Sequence, residues 1–296
     1  MWQILFKFLE VIKLSAKPAT IIYPYPILPL LIFSHSGIFE LLSLLKAIVF
    51  SFVFCSGVNL WNHVNDIKED SLGGKRNIIT ESQKIRKIVA VISLLHYVTS
   101  FCLAIFWSVD LRGVVVFTAA ILATWMYSDR ILFGRYIGRL KDFYLTEVLA
   151  FVVSFPSFIL MVWTLFTQLS IKSIAFSVTI SLFMLSGTFL KDIRDVTGDK
   201  LAGLKTLGVV FGPESLLKMS FLILFLYYVS LIIFTTFGIF PKSTFAAVMF
   251  LVGVVYATIR FKSNGWQVTI EEVKTLEVLF YSNIGSLVAI IIAGFI

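Results

Sequence analysis

Asn62, Asp66 and Asp70 follow one another at four-residue intervals within Asn59–Arg76, where a long apolar run turns abruptly polar. On a helix that interval stacks three side chains on one face, one turn apart. Three hard oxygen ligands in a row suit Mg²⁺, and the cations Lys75 and Arg76 just behind them suit a phosphate arriving with it. A second stretch repeats the arrangement. Asp195 and Asp199 keep the interval of four, and Asp192 adds a carboxylate three residues earlier. The parallel extends past the acids: Asp70 leads into Leu72, Gly74 and Lys75, and Asp199 leads into Leu201, Gly203 and Lys205. Carboxylates gathered at one site from both stretches would repel one another. Divalent cations relieve that repulsion, and a polyphosphate completes their octahedra. A shared Mg²⁺–phosphate site therefore accounts for the two stretches better than two solvated loops do.

The elements that must position these residues are membrane helices. Hydrophobic residues make up 58% of the 296, including 30 Phe, and charged residues only 14%, against about 25% in soluble chains. Nine runs are apolar enough to cross a bilayer: about 17–34, 41–63, 87–107, 112–128, 143–166, 171–190, 216–236, 243–260 and 275–296. Pro18, Pro24, Pro26 and Pro29 should kink or break the first. Met1–Lys13 scatters Lys7, Glu10 and Lys13 among apolar residues and reads as an interfacial amphipathic lead-in, not a cleaved signal. The expected fold is all-α: one polytopic domain over 1–296, with nine helices bundled around a central cavity. Both acidic stretches then fall on one side of the membrane, and so do nearly all the lysines and arginines. Only Lys46, Arg112, Lys172 and Lys242 fall on or near the other side. The bias places the N-terminus and the long loops in the cytoplasm. It also absorbs most of the net charge of +8, leaving no reason to invoke nucleic-acid binding. Cys55 and Cys102 lie inside apolar runs and read as packing residues.

These features together resemble the UbiA-type intramembrane prenyltransferases. Asn62, Asp66 and Asp70 match the N-x₃-D-x₃-D motif that follows the family's second helix. Asp192, Asp195, Asp199, Gly203, Lys205 and Thr206 match its D-x-x-D-x-x-x-D and G-x-K-[ST] run after the sixth. Lys13–Thr20 is similar to the K-L-x-R-P-x-T stretch leading into helix one, with Lys17 in place of Arg. Two departures stand out. Gly74–Asn77 replaces an Arg-Pro segment, and after Tyr127-Ser128 the basic triplet comes late, at Arg139–Lys141, with Arg130 closer by. The resemblance implies transfer of an isoprenoid chain from an allylic prenyl diphosphate to a hydrophobic or aromatic acceptor, with release of pyrophosphate. It implies Mg²⁺ held by Asp66, Asp70, Asp195 and Asp199 with Asn62 and Asp192, and a diphosphate met by Lys75, Arg76, Arg139, Lys141 and Lys205. Tyr127 and Lys17 would line the substrate cavity, in a multi-pass protein of the cell membrane whose active site faces the cytoplasm.

Glu147 begins the fifth run near the same face. A carboxylate at that depth needs a partner, and it either lines the cavity or positions an acceptor. His35 and His96 have no acidic or cysteine neighbours in sequence and read as packing residues. Two other readings use similar residues. A membrane phosphotransferase acting on nucleotide-activated lipids also needs Mg²⁺ and aspartates, but its D-x₂-D-G-x₂-A-R run is absent. A cation or lipid transporter would carry charges near the membrane midplane at broken helices, whereas these acids sit at helix ends.

Overall fold

Hydrocarbon offers a backbone no hydrogen-bonding partner, so a chain this apolar crosses a bilayer as closed helices. The computed structural model describes residues 2–16, 24–269 and 272–296, and it is helical almost throughout. An N-terminal helix α1 (Trp2–Ser15) precedes the short apolar α2 (Ile27–Ser36). Then come α3 (Leu41–Asn65), the short α4 (Ile67–Leu72), α5 (Gln83–Trp107) and α6 (Leu111–Ser128). The second half holds α7 (Tyr144–Trp163), α8 (Ile171–Asp192), the short α9 (Val196–Ala202), α10 (Pro213–Thr236), α11 (Leu251–Ser263) and α12 (Val273–Phe295).

Among the described residues, eight helical segments are long and apolar enough to span a membrane. The ninth expected span is represented by α2, whose 10 residues begin only after Pro24 and Pro26. Pro29 falls in its first turn, where a missing N–H costs nothing. The rest of that run, and Lys17 with it, lies outside the described residues. The eighth run is also interrupted: a 3₁₀ turn (Lys242–Thr244) and a four-residue helix (Phe245–Val248) precede α11.

The helices pair along their lengths, α3 with α5, α6 with α7, and α8 with α10, while α12 packs on α2 and α11. One continuous apolar core runs from Leu28 to Ile290. Its aromatic centre sets Phe117 against Phe50 and Phe54, with ring centroids 5.1 and 4.9 Å apart, and Phe54 against Phe158 at 5.1 Å. Lipid tails are as apolar as this core, so hydrophobicity alone does not hold membrane helices together; buried hydroxyl bonds help. Ser186 and Ser220 join α8 to α10 at 3.1 Å, and Tyr227 and Ser286 join α10 to α12 at 2.9 Å.

Candidate active site

The two acidic stretches fold alike. Each long helix stops at its motif: α3 ends at Asn65, α8 at Asp192. The chain bends at a middle acid, Asp66 in the first and Asp195 at the end of a 3₁₀ turn in the second. It then resumes as a short helix carrying the last acid, Asp70 on α4 and Asp199 on α9. Both short helices end on a left-handed glycine, Gly74 (φ 74°) and Gly203 (φ 83°). A side chain there would be strained. Each glycine lets the next amide turn back onto the carbonyl of the last acid: Lys75 N–H donates to Asp70 O at 2.7 Å, and Leu204 N–H to Asp199 O at 3.0 Å. This helix-stop geometry is the physical content of the repeated Asp-x-Leu-x-Gly spacing.

α4 and α9 then pack directly on each other. The contact is glycine on glycine: a Cβ on Gly198 would lie 2.8 Å from the Glu69 carbonyl oxygen and 3.2 Å from Gly73 Cα. Two lysines cross the junction. Lys75 reaches Asp195 at 2.5 Å and Asp70 at 3.6 Å. Lys141, buried, reaches Asp66 at 3.2 Å and Asp199 at 3.4 Å. Each ammonium thus links one carboxylate from the first stretch to one from the second. Asn62, still on α3, accepts a hydrogen bond from the Ser128 hydroxyl at 2.7 Å. Asp192, half-buried, has the Lys191 ammonium at 3.5 Å.

The remaining candidates divide. Arg139 is buried and donates to Asp66 (2.9 Å), Glu69 (2.7 Å) and Asp142 (2.9 Å). Burial opposes its charge, but the carboxylates of Asp66, Glu69 and Asp142 outweigh that and hold its pKa above the ordinary arginine value. Lys141 behaves likewise: burial opposes its charge, and Asp66 and Asp199 more than compensate, raising its pKa. Burial pushes the Asp70 carboxyl up; the hydrogen bond and charge of His63, with Lys75 and Lys141, outweigh it and keep it below 3.8. Arg76 and Lys205 are exposed and take no part in these ion pairs. The Lys205 backbone has another use. Its N–H donates to Asp142 O at 3.1 Å and its carbonyl accepts from Tyr144 N–H at 2.9 Å, tying the second motif to the loop before α7. Glu147, buried on α7, supports the same strap by accepting the Leu207 N–H at 2.7 Å. Tyr127 is half-buried against Phe151, with ring centroids 5.2 Å apart.

Sequence reasoning missed Asn65, Glu69 and Asp142. Asn65 accepts the Arg130 backbone N–H at 2.8 Å, and Glu69 accepts from the guanidiniums of Arg130 and Arg139. The signal was present: Asn65 and Glu69 are also four apart, a second row beside the first. Among the described residues, no three His, Cys, Asp or Glu side chains converge as a ready metal cage. The donor set nonetheless suits a hard divalent cation: amide and carboxylate oxygens from two helix ends, with carboxylate pairs close enough to share a single ammonium.

A helical membrane bundle whose two half-sites of aspartate meet at one end defines a recognisable class. The profile of the UbiA prenyltransferase family matches residues 24–284. The chain belongs to that family and is a multi-pass membrane prenyltransferase in type. It is 34% identical over 284 residues to an uncharacterized protein of Archaeoglobus fulgidus, covering 95% of this chain and 96% of that one. Its fold is similar to that of a digeranylgeranylglyceryl phosphate synthase, with TM-score 0.64, 20% identity and 98% of each chain covered. It is also similar to a UbiA homolog from Archaeoglobus fulgidus bound to DMAPP and Mg²⁺, with TM-score 0.63, 14% identity, and 97% and 98% of the two chains covered.

Proposed function

We propose that this protein transfers an isoprenoid group from an allylic prenyl diphosphate to a hydrophobic or aromatic acceptor, releasing pyrophosphate, with Mg²⁺ as cofactor. The observation that carries the reading is the double lysine crossing: Asp66 with Asp199, and Asp70 with Asp195, are each drawn onto one ammonium. Solved relatives of the same fold hold DMAPP or GPP together with Mg²⁺, which supports the same use of the site here.

Asn62, Asp66, Asp70, Asp192, Asp195 and Asp199 would hold the metal, which when bound supplies charge neutralisation to a departing diphosphate. Lys75 and Lys141 are the cations best placed to meet that diphosphate, since both lie between the motifs. Arg139 adds positive charge from behind Asp66. Arg76 and Lys205 reach the group only by swinging in from the surface. Fixed cations of this kind stabilise charge as it develops on the leaving oxygens. Trp61 precedes Asn62 on α3, and Trp125 and Tyr127 lie on α6 within a turn of Ser128, the Asn62 partner; aromatic ring faces suit the positive charge left on the allylic carbon. Glu147 holds the Leu207 strap beside the second motif. We read residues 1–296 as one domain because the apolar core is continuous from α2 to α12. The motif end carries Lys68, Arg130, Lys191 and Lys200 besides the site cations, and by the positive-inside rule it faces the cytoplasm of a cell membrane.

The test is pyrophosphate release by purified protein supplied with Mg²⁺, prenyl diphosphates of graded length, and aromatic acids, naphthoates or glyceryl phosphate lipids as acceptors, with products read by mass spectrometry. Release that disappears in Asp66→Ala and Asp195→Ala supports the assignment. Release that survives both substitutions sinks it.

A further inference from the structure

Beside the row Asn62, Asp66, Asp70 runs the row Asn65, Glu69, and it is occupied by arginine. Glu69 is 4% exposed. Its Oε1 accepts from Arg139 at 2.7 Å and also from Arg130, while its Oε2 is buried without a partner. Arg139 is 1% exposed along its side chain. A guanidinium has five N–H donors and cannot shed its charge, so a buried one must be fully matched by acceptors. Its donors divide among three carboxylates: Nη1 to Asp66 Oδ1 at 2.9 Å, Nη2 to Glu69 with Asp142 Oδ1 also 2.8 Å away, and Nε to Asp142 Oδ1 at 2.9 Å. Only one of those three carboxylates belongs to a motif. Glu69 and Asp142 together match Arg130 and Arg139, two carboxylates against two guanidiniums. Asp66 Oδ2 is left to Lys141, at 3.2 Å.

We propose that Glu69 is a positioning residue that acts through Arg139: it holds the guanidinium away from a two-pronged grip on Asp66, keeping that carboxylate available to a divalent cation. Without Glu69, Nη2 keeps only Asp142 Oδ1, at 2.8 Å, for its two N–H groups, and Asp66, already held by the neighbouring Nη1, offers the nearest further oxygen. A bidentate arginine–carboxylate pair is a strong, geometrically fitted contact, and it would compete with the metal for the same oxygens. The same shift would displace Lys141 from Asp66. Glu69 thus deepens the proposed Mg²⁺ role of Asp66 and rests on it.

The experiment is Mn²⁺ binding to the full-length protein in detergent, followed by electron paramagnetic resonance, with Mg²⁺-dependent pyrophosphate release measured alongside. Glu69→Ala should weaken Mn²⁺ binding on the order of tenfold, the usual scale for loss of a group that orients a ligand. Glu69→Gln keeps one carbonyl oxygen for Arg139 and should fall between Glu69→Ala and the native protein. The double variant Glu69→Ala/Arg139→Met removes the competitor and should bind Mn²⁺ more tightly than Glu69→Ala alone. Arg139→Met alone sheds a cation and should also tighten binding. The rescue therefore counts only where the gain from Arg139→Met is larger in the Glu69→Ala background than in the native one, a coupling that a merely structural role for Glu69 would not produce. Should Glu69→Ala not fold, Glu69→Gln against Glu69→Gln/Arg139→Met poses the same question. Unchanged Mn²⁺ affinity in Glu69→Ala, or a gain from Arg139→Met no larger in that background than in the native one, overturns the proposal while the native protein still binds Mn²⁺. A native protein that neither binds Mn²⁺ nor releases pyrophosphate overturns the metal reading itself.

Discussion

The two acidic motifs share a spacing and a fold, yet they are held in different ways. The first is clasped by a loop. Ser128 bonds Asn62, Arg130 and Arg139 bond Glu69, and Arg139 and Lys141 bond Asp66. Among the described residues, the second receives no buried arginine. Asp195 takes a half-exposed lysine and the exposed Arg194, at 3.5 Å, and Asp199 takes Lys141. What fixes the second motif is backbone: the Phe143–Lys205 bridge and the Leu207 N–H on Glu147. The glycine turns explain part of the contrast. Lys75 follows Gly74 directly and is carried back over Asp70, whereas Lys205 comes two residues after Gly203 and points outward. One half-site is therefore built mainly from side-chain charge, the other mainly from main-chain position, and substitutions should affect them unequally.

The largest effect belongs to the acids, and it should ignore this contrast. Asp66→Ala and Asp195→Ala should each lower turnover about 100-fold or more, the scale of losing several kcal/mol of charge stabilisation. Rates of pyrophosphate release under saturating donor check this, and a large difference between the two would break the symmetry of the halves. Next comes the junction. Gly198→Ala drives a methyl against the Glu69 carbonyl and Gly73 Cα, at 2.8 and 3.2 Å. Overpacking of that kind costs about 1–3 kcal/mol, and α4 and α9 must part to relieve it. Thermal unfolding together with donor KM would show both consequences; wild-type values for both would mean the junction is softer than its glycines suggest.

The lysines sharpen the comparison further. Lys141 is 10% exposed and leaves the carboxylates of Asp66 and Asp199 behind when removed. Lys75 is 40% exposed. Lys141→Met should therefore destabilise by about 3 kcal/mol, as loss of one member of a buried pair does. Lys75→Met should cost about 1 kcal/mol or less, because solvent already screens it. Denaturant midpoints of the two variants decide the order, and equal costs would contradict the burial argument.

Much of this architecture was legible in the chain, for physical reasons. Apolar runs must be helices in hydrocarbon, so the spans could be read directly. The four-residue spacing singled out both acidic stretches, but the bends at Asp66 and Asp195 that divide each row between two helices could not be read from it. The Asp-x-Leu-x-Gly repeat was legible because only glycine turns cheaply at positive φ. Charge partners were not legible. Nothing in the order of residues says that Arg139 turns inward while Arg76 stays outside, because the choice depends on how a loop folds over a helix 70 residues away. Glu69 escaped notice for the same reason: its acidity looked like ordinary loop charge until the arginines covering it were seen. The prolines had already marked the first run for a break, but the interrupted eighth span escaped, since hydropathy measures apolar length and not helix continuity.

The smallest expected effect lies in the loop that clasps the first motif. Asp129 sits at its start, 1% exposed, and its carboxylate accepts four backbone N–H groups: Ile131 at 2.8 Å, Leu132 at 2.9 Å, Phe133 at 2.8 Å and Gly134 at 3.1 Å. Burial works to raise its pKa, but the bonds from Leu132, Gly134, Ile131 and Phe133 prevail and hold it below 3.8. A carboxyl with a depressed folded pKa stabilises fully above its unfolded value and loses that stability as pH falls through the folded value. Amide exchange at residues 131–134, corrected for intrinsic rate, should therefore stay protected down to about pH 4 and open below it. Asp129→Asn keeps one acceptor oxygen without charge. It should lower protection at neutral pH by about 1 kcal/mol, the difference between charged and neutral bonds, and flatten the acid transition. Arg139 and Lys141 hold the loop's far end to Asp66 and Glu69 independently of this cap, and Arg130, next to Asp129, is also tied to Glu69 and through its N–H to Asn65. Turnover at neutral pH should then fall less than for any substitution above. If instead it falls as far as in Lys141→Met, the clasp on the first motif begins at Asp129 and not at the arginines.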